Sequence, residues 1–367
     1  MKIAIVLGTR PEIIKMAPIV RALVSNKADF FILHTGQHYT YKMDRVFFEQ
    51  LQLPDAKYNL DVGSGSHGEQ IGKMLIGIEK ILYTEKPDIV LVEGDTNSVF
   101  AGALAASRLQ IRVGHVEAGL RSYDRSMPEE INRILTDHCA DLLFAPTVKA
   151  EKILLGEGIP GEKIYVTGNT IVDSVNQNLT LARSKSQILS DLKIEPGKYF
   201  LLTLHRQENV DIYERFKSIL DGIKKLAKTF NLPVIYPIHP RSRKMMEQFK
   251  LDASEITLLE PVDFLEFLYL ESNARLVLSD SGGVQEESCI LKVPCVTLRD
   301  NTERPETIEI GANMLAGSDP EKILACASSM LSKDSNWDNP FGDGCSGERI
   351  VKIIQEQIDG QNTCYRR

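Results

Sequence analysis

The sequence predicts an α/β protein with two doubly wound parallel sheets. Short apolar runs such as IAIVL (3–7) and YFLLTLH (199–205) alternate with helix-length segments along the whole chain. Continuous Val/Ile/Leu runs of this kind are typical of parallel strands buried on both faces. The chain has 367 residues, of which 43% are hydrophobic and 25% charged, so it is long enough for two domains with substantial cores.

Each half of the chain contains six predicted strands. They follow the runs 3–7, 30–33, 88–93, 112–117, 141–145 and 164–168, and then 199–205, 233–239, 256–260, 275–280, 294–298 and 312–316. A polar helical stretch that ends at Pro196-Gly197 lies between the halves, so we place the domain boundary near residue 170. We expect Rossmann-like domains over 1–170 and 171–367, with the C-terminal helix able to pack back on the first domain. Two such domains predict a cleft, and ligands of doubly wound sheets bind at the carboxyl ends of the strands.

Bulk properties exclude several classes of function. The net charge of −7 gives no reason to expect a nucleic-acid partner. The six cysteines are scattered and form no zinc-type spacing with histidines, so no metal and no cofactor are expected. The N-terminus reads as a strand and no apolar stretch is long enough to span a bilayer, so a cytoplasmic protein without membrane insertion is predicted.

Charged side chains follow the predicted strands of the first half. GTRPEIIK (8–15) places Arg10 and Lys15 after the first strand, where both can face a phosphate. EGDTNS (93–98) places Asp95 after the third strand, GHVEAGLRS (114–122) places Glu117 after the fourth, and SMPEEINR (126–133) opens a helix with Glu129. Each has a structural alternative as a turn residue, a helix cap or a helix-dipole partner. Several carboxylates that line one cleft nevertheless indicate general acid–base chemistry.

The second half supplies cations and a glycine-rich turn. TLHRQEN (203–209) places His205 after a strand, and RDNTERPE (299–306) repeats Arg-Pro-Glu at Arg304. In SDSGGVQEE (279–287) the glycines and a hydroxyl at a helix start predict an anion site, although carboxylates crowd the same turn. The anion-site residues are Ser281, Gly282 and Gly283, with Asp280 interpreted as a turn residue and Glu286 as a helix-dipole partner.

One glycine-rich stretch matches a dinucleotide-binding motif but lacks a convincing strand before it. GSGSHG (63–68) matches G-x-G-x-x-G, but the stretch KYNLDV before it is a poor strand. We therefore interpret it as a glycine-rich loop and not as a dinucleotide site.

Taken together, GTRPEIIKMAP, EGDTNS, GHVEAGLRS, PEEINR, TGNT, LHRQEN, SDSGGVQEE and RDNTERPE resemble the non-hydrolysing UDP-N-acetylglucosamine 2-epimerases in order and approximate spacing. The resemblance covers nearly the whole chain. It implies a GT-B-type arrangement of two Rossmann-like domains that face a cleft, usually in a homodimer. It also implies reversible conversion of UDP-N-acetylglucosamine to UDP-N-acetylmannosamine for surface-polysaccharide precursors.

The resemblance also implies roles for individual residues. Asp95, Glu117 and Glu129 would be the catalytic carboxylates, with His205 in the catalytic site. Glu287 would accept hydrogen bonds from the ribose, and the second domain would hold UDP. The UDP-sugar contacts implied are Arg10, Lys15, Asp95, Glu117, His205, Val262, Phe267, Ser281, Gly282, Gly283, Glu287 and Arg304, with Val262 and Phe267 at the uracil.

The chain departs from the bacterial pattern in two places. Bacterial members commonly read Q-H-R-E where this chain has GQHYTYKMD (36–44), and G-H-R-R-E-S where it has LHRQEN (204–209). The first stretch belongs in bacterial relatives to an allosteric substrate site. Gln37 and His38 remain but the Arg-Glu pair is missing, so we expect no sigmoidal dependence of velocity on substrate.

Three other functions share parts of this pattern. A hydrolysing 2-epimerase would release UDP and free N-acetylmannosamine. A GT-B glycosyltransferase would need an acceptor site and has no evident need for three acids on the donor sugar. A non-catalytic nucleotide-sugar-binding protein would have no use for a base at C2.

Overall fold

The computed structural model describes residues 1–37 and 41–364. They form two compact units. Unit 1 contains Met1–Ser174 and the C-terminal segment from Phe341, and unit 2 contains Val175–Pro340.

Thirteen strands are present in the described part of the chain. They are β1 (Lys2–Leu7), β2 (Asp29–His34), β3 (Tyr58–Asn59), β4 (Ile89–Glu93), β5 (Arg112–Val116), β6 (Leu142–Ala145), β7 (Ile164–Val166), β8 (Phe200–Thr203), β9 (Val234–Pro237), β10 (Ile256–Leu259), β11 (Leu276–Ser279), β12 (Cys295–Thr297) and β13 (Asn313–Leu315).

The α-helices are α1 (Arg10–Ser25), α2 (Tyr41–Gln50), α3 (His67–Glu85), α4 (Asn97–Arg108), α5 (Pro128–Cys139), α6 (Val148–Gly156), α7 (Thr170–Lys185), α8 (Ile188–Asp191), α9 (Gln207–Val210), α10 (Tyr213–Phe230), α11 (Pro240–Phe249), α12 (Phe264–Asn273), α13 (Gly282–Ile290), α14 (Pro305–Glu309), α15 (Pro320–Leu331) and α16 (Ser346–Cys364). A 3-10 helix covers Gly161–Lys163. In unit 1, α16 packs on α1, and a Cβ added to Gly347 would lie 2.9 Å from the carbonyl carbon of Pro18.

Each unit has one parallel sheet. The order is β3-β2-β1-β4-β5-β6-β7 in unit 1 and β10-β9-β8-β11-β12-β13 in unit 2. The direction of strand addition reverses next to β1 and next to β8, which is the doubly wound arrangement. The α/β fold class predicted from the sequence is therefore confirmed.

The apolar strand runs form the cores, as their composition requires. β4 is buried at all five positions, and Val90 and Val92 pack with Ala103 and Ala106 of α4. In unit 2, Leu278 of β11 belongs to the cluster that covers one face of the sheet. Burial on both faces explains why these strands read as continuous apolar runs.

All twelve predicted strands are present, but the expectation of six in the first half was wrong. The sheet of unit 1 has a seventh strand, β3, which pairs only its two residues with Leu33 and His34 of β2. This edge strand is half-buried and too short to produce an apolar run. Among the described residues, no helix is both long enough and apolar enough to cross a membrane.

Candidate active site

A group of buried charged side chains lies at the carboxyl ends of β1, β4 and β5. We call Glu12, Lys15, Glu93 and Glu117 the carboxylate cluster; all four are buried. Glu93 ends β4, and Glu117 follows Val116, the residue of β5 that lies opposite Glu93 in the strand register. Glu12 and Lys15 come from the first turns of α1, directly after β1. Adjacent strands thus bring together residues that are about a hundred positions apart in the chain.

Lys15 is the cation of the carboxylate cluster. Its Nζ forms an ion pair with Glu117 Oε2 and lies 3.5 Å from Glu93 Oε1. Burial raises the pKa of Glu93 well above its usual range; Lys15 opposes this effect, whereas Glu117 and Glu12 add to it. One ammonium cannot neutralise two buried carboxylates. Lys15 thus pairs directly with Glu117, and the carboxylic acid whose pKa is raised beside this pair is Glu93.

Glu12 is the second perturbed acid of the cluster. Its carboxylate accepts hydrogen bonds from Gly8 N at 2.7 Å, Thr9 Oγ1 at 2.8 Å and Thr96 Oγ1 at 2.7 Å. Complete burial raises its pKa to about 7 in spite of these donors. Glu12 therefore changes charge close to neutral pH.

Glu117 lies in a turn in which its own backbone adopts an unusual conformation. Its φ of +67° lies in the left-handed region, which a non-glycine residue adopts at a cost. Two residues later, Gly119 has a φ of +85°, and a Cβ there would lie 2.6 Å from Ala150 O. Gly119 N donates to Asp137 Oδ2 at 3.2 Å. The turn holds Glu117 at the end of β5 against its intrinsic backbone preference.

A buried ion network supports this turn from α5. Asp137 Oδ1 lies 2.6 Å from His115 Nδ1, and Asp137 Oδ2 lies 2.7 Å from Arg121 Nη2. Burial by itself would raise the pKa of Asp137, but His115 and Arg121 outweigh it and lower the pKa. His115 Nε2 lies 2.9 Å from Gly94 O, so both ring nitrogens lie beside oxygen atoms.

Asp95 belongs to a second network in unit 1. Arg133 Nη2 lies 2.5 Å from Asp95 Oδ2, and Arg133 Nη1 lies 2.8 Å from Glu130 Oε2. Glu130 also accepts from Ser122 N at 2.9 Å. The structure thus connects Asp95 through one guanidinium to Glu130. The neighbouring Glu129 is exposed, and no hydrogen bond or ion pair of its side chain is found within the described residues.

The turn after β1 leads into α1 at Arg10, which is half-buried. A Cβ on Gly8 would lie 1.9 Å from Thr35 Oγ1 and 2.3 Å from Ser98 Oγ, so only glycine fits. The Arg10 guanidinium lies over the Phe47 ring, 4.8 Å from its centroid.

Two sequence features lie beside this turn. Gln37 Oε1 accepts from Ser98 N at 3.1 Å, whereas His38, which the sequence shares with the bacterial allosteric stretch, lies outside the described residues. The GSGSHG stretch forms the loop into α3, which begins at His67, and Asn97 Nδ2 lies 3.2 Å from His67 Nδ1.

In unit 2, Asp280 organises the segment that follows β8. Its carboxylate accepts from His205 N at 3.1 Å and Arg206 N at 3.0 Å, and from Asn209 Nδ2 at 3.1 Å. His205 Nδ1 lies 3.0 Å from Asp280 Oδ1, and the imidazole side chain is 41% exposed. Burial opposes ionisation of Asp280, but His205 and the other donors lower its pKa. The sequence predicted only a turn residue here, because the four contacts come from residues over 70 positions away.

The helix α13 begins at the predicted anion site. Ser281 is its N-cap residue and makes no side-chain cap hydrogen bond. A Cβ on Gly282 would lie 2.8 Å from Glu303 Oε1, so this carboxylate approaches the helix start. Burial would raise the pKa of Glu303, but arginines including Arg299, whose NH1 is 2.7 Å away, lower it to about 2. Gly283 is the second residue of α13 and lies in the first turn of this helix.

Two buried acids of α13 have different partners. Glu286 Oε1 lies 2.6 Å from Arg304 Nε, and both residues are buried. Glu287 lies beside Glu271 of α12, whose pKa is raised far above its usual range by burial and then by Glu287. Glu286 is thus an ion-pair partner of Arg304, a role that the sequence did not indicate.

The predicted uracil contacts lie around the start of α12. Val262 precedes this helix, and Phe267 lies on its first turns. Both are partly buried against the apolar cluster that includes Leu270 and Val277. Within the described residues, no group of three or more His, Cys, Asp or Glu side chains could hold a metal ion.

Comparison with known proteins shows what the chain is similar to. A family model described as UDP-N-acetylglucosamine 2-epimerase matches residues 21–355. The UDP-N-acetylglucosamine 2-epimerase of Methanocaldococcus jannaschii is 58% identical over 361 residues, which are 96% of this chain and 99% of that protein.

Solved structures agree with this similarity. The crystal structure of Methanocaldococcus jannaschii UDP-GlcNAc 2-epimerase in complex with UDP-GlcNAc and UDP has a TM-score of 0.90 at 58% identity, with 97% of this chain and 99% of that chain covered. The UDP-GlcNAc 2-epimerase from Neisseria meningitidis bound to UDP-GlcNAc has a TM-score of 0.90 at 36% identity, with 97% and 100% covered.

Proposed function

This chain belongs to the UDP-N-acetylglucosamine 2-epimerase family, and we propose that it interconverts UDP-N-acetylglucosamine and UDP-N-acetylmannosamine without net hydrolysis. The observation that carries the proposal is the carboxylate cluster, in which Lys15 holds the carboxylate of Glu117 at a strand end. The product would serve as a precursor of surface polysaccharides.

The chemistry explains why such carboxylates are needed. The C2 hydrogen of the sugar is not next to a carbonyl group, so simple deprotonation would form an unstabilised carbanion. Elimination avoids this intermediate: a base takes the C2 proton, the C2–H electron pair forms a C1=C2 double bond, and the C1–O bond breaks with its electrons on UDP. UDP then adds back to the 2-acetamidoglucal, and a proton reaches C2 from the opposite face. The reaction needs carboxylates near C2 and donors on the departing diphosphate.

Unit 1 would supply the proton-transfer groups. We assign proton transfer at C2 to Asp95, Glu117 and Glu129, without dividing the two faces among them. Support for the first two comes from their anchoring, because Arg133 holds Asp95 and Lys15 holds Glu117. Arg10 and Lys15 would complete the substrate contacts of this unit.

Unit 2 would bind the UDP part. His205 would stabilise the charge that grows on the diphosphate, since Asp280 occupies its Nδ1 and leaves Nε2 for the ligand. Glu287 would accept from the ribose hydroxyl groups, which are donors that match a carboxylate. The remaining proposed contacts are Ser281, Gly282, Gly283 and Arg304 for the diphosphate and Val262 and Phe267 for the uracil.

Incubation with UDP-N-acetylglucosamine in deuterated water tests the proposal. We expect deuterium at C2 of both epimers while the nucleotide sugar stays intact, and we expect Glu117→Gln to abolish its incorporation. Stoichiometric release of free UDP would instead identify a hydrolysing 2-epimerase. Binding of the nucleotide sugar without any deuterium incorporation would overturn the proposal and indicate a non-catalytic binding protein.

A further inference from the structure

Glu93 is a buried acid that the proposed reaction does not use, although it lies beside Glu117 and Lys15. We propose that Glu93 is a positioning residue: it stays protonated, donates a hydrogen bond to Glu117, and so keeps Glu117 ionised and aimed for its part in proton transfer at C2. The role in proton transfer rests on the proposed function, whereas the shared proton does not.

The contacts indicate which acid carries the proton. Lys15 pairs directly with Glu117 Oε2 but remains 3.5 Å from Glu93 Oε1. Glu93 is 2% exposed, and its Oε1 has no hydrogen-bond partner. A buried carboxylate oxygen that has only a long ion-pair contact and no hydrogen bond is more costly when the acid is ionised than when it is the carbonyl oxygen of a neutral acid. The proton therefore resides on Glu93 and the charge on Glu117.

The surrounding charges favour the same distribution. The groups that act on Glu93 are Lys15 and Glu12 from α1 and Glu117 from the end of β5. Only Lys15 is cationic. With Glu93 neutral, Lys15 and Glu117 cancel; with Glu93 ionised, a net negative charge would be buried at three strand ends.

This arrangement prepares Glu117 for reversible proton transfer. Three constraints act on its carboxylate: the left-handed backbone turn, the ion pair with Lys15 and the hydrogen bond from Glu93. When Glu117 takes the C2 proton it becomes neutral and Lys15 loses its charge partner. Loss of that proton to solvent, or its transfer to C2 in the reverse reaction, restores the ion pair before the next turnover.

Two variants distinguish whether Glu93 acts as a neutral hydrogen-bond donor or only fills space between its neighbours. Glu93→Gln keeps a neutral donor of the same shape, whereas Glu93→Met fills the space without a donor. We expect Glu93→Met to lower kcat at least about tenfold with little change in KM, and Glu93→Gln to restore most of that loss. Wild-type kcat should fall at alkaline pH as Glu93 ionises, and Glu93→Gln should lack this fall. Glu79→Gln, on an exposed position of α3, is the control that should retain the wild-type pH profile.

Infrared difference spectroscopy tests the shared proton without any activity. At neutral pH, the wild-type minus Glu93→Gln spectrum should contain the carbonyl band of a protonated carboxylic acid. If that band is present but no deuterium enters C2, the proposed function fails and the proton assignment stands. The inference would be overturned by absence of the band or by equal kcat values in Glu93→Met and wild type. It would also be overturned if Glu93→Met and Glu93→Gln lost kcat equally. If Glu93→Met does not fold, the infrared spectrum and the pH profile of kcat in Glu93→Gln still test whether Glu93 holds the proton.

Discussion

Glu12→Gln should make the stability of the protein less dependent on pH. Glu12 is completely buried, and its pKa is about 7 in the folded protein compared with an ordinary value of 4.5. Because the folded state holds this proton more tightly, the stabilisation is present below about pH 4.5 and is lost as pH rises through about 7. At about 1.4 kcal/mol for each unit of pKa, the loss amounts to about 3 kcal/mol. Glutamine carries no proton to lose, and its amide can both accept from Gly8 N and donate to the threonine hydroxyls.

The assay is urea unfolding of wild type and Glu12→Gln from about pH 4.5 to about pH 8. We expect similar free energies of unfolding at the acidic end and an advantage for the variant of up to about 3 kcal/mol at the alkaline end. Circular dichroism and amide hydrogen exchange of β1 are the suitable probes, because the single tryptophan, Trp337, lies in unit 2. The exposed Glu79→Gln serves as the control and should follow wild type. A constant difference between wild type and Glu12→Gln across this pH range would refute the reasoning.

Three further predictions concern the supports of the site. Asp280→Asn should lower kcat by about a hundredfold while the fold is retained, because His205 loses the carboxylate at its Nδ1; unchanged kinetics would contradict this. Arg133→Lys should lower kcat about tenfold, since a single ammonium cannot bridge Asp95 and a second carboxylate as a guanidinium does; steady-state kinetics measure it, and wild-type kcat would count against the network. Gly8→Ala should destabilise the protein by about 1–3 kcal/mol, because its Cβ would overlap two hydroxyl oxygens; equal urea midpoints would show that the turn can adjust.

The order of the elements was readable from the sequence because strand burial leaves a local signature. A strand covered on both faces must be apolar at consecutive positions, and all twelve strands that carry such a run were predicted. β3 was missed because a half-buried edge strand of two residues has no such run. The positions of Asp95 and Glu117 after strands followed from the same reasoning, because parallel strands present their carboxyl ends at one edge.

The charge states of the site followed only from the tertiary structure. Glu93 and Glu12 look like ordinary acids in the sequence, and their raised pKa values arise from burial and from neighbours on other elements. Lys15 could be read as a phosphate ligand, whereas its ammonium contacts Glu117, 102 positions away.

Asp280 and Glu286 show the same difference between what a local sequence pattern indicates and what tertiary packing decides. A local pattern can place an acid at a turn or in a first helical turn, where a cap or helix dipole explains it. It cannot show that the side chain is buried against His205 or Arg304, because those contacts depend on how distant strands and loops meet. The sequence by itself therefore determined the succession of apolar strands along the chain and the residue types at their ends. Tertiary packing decided which acids are neutral, which are paired and which are held in place, because burial and distance set the free energy of each charge.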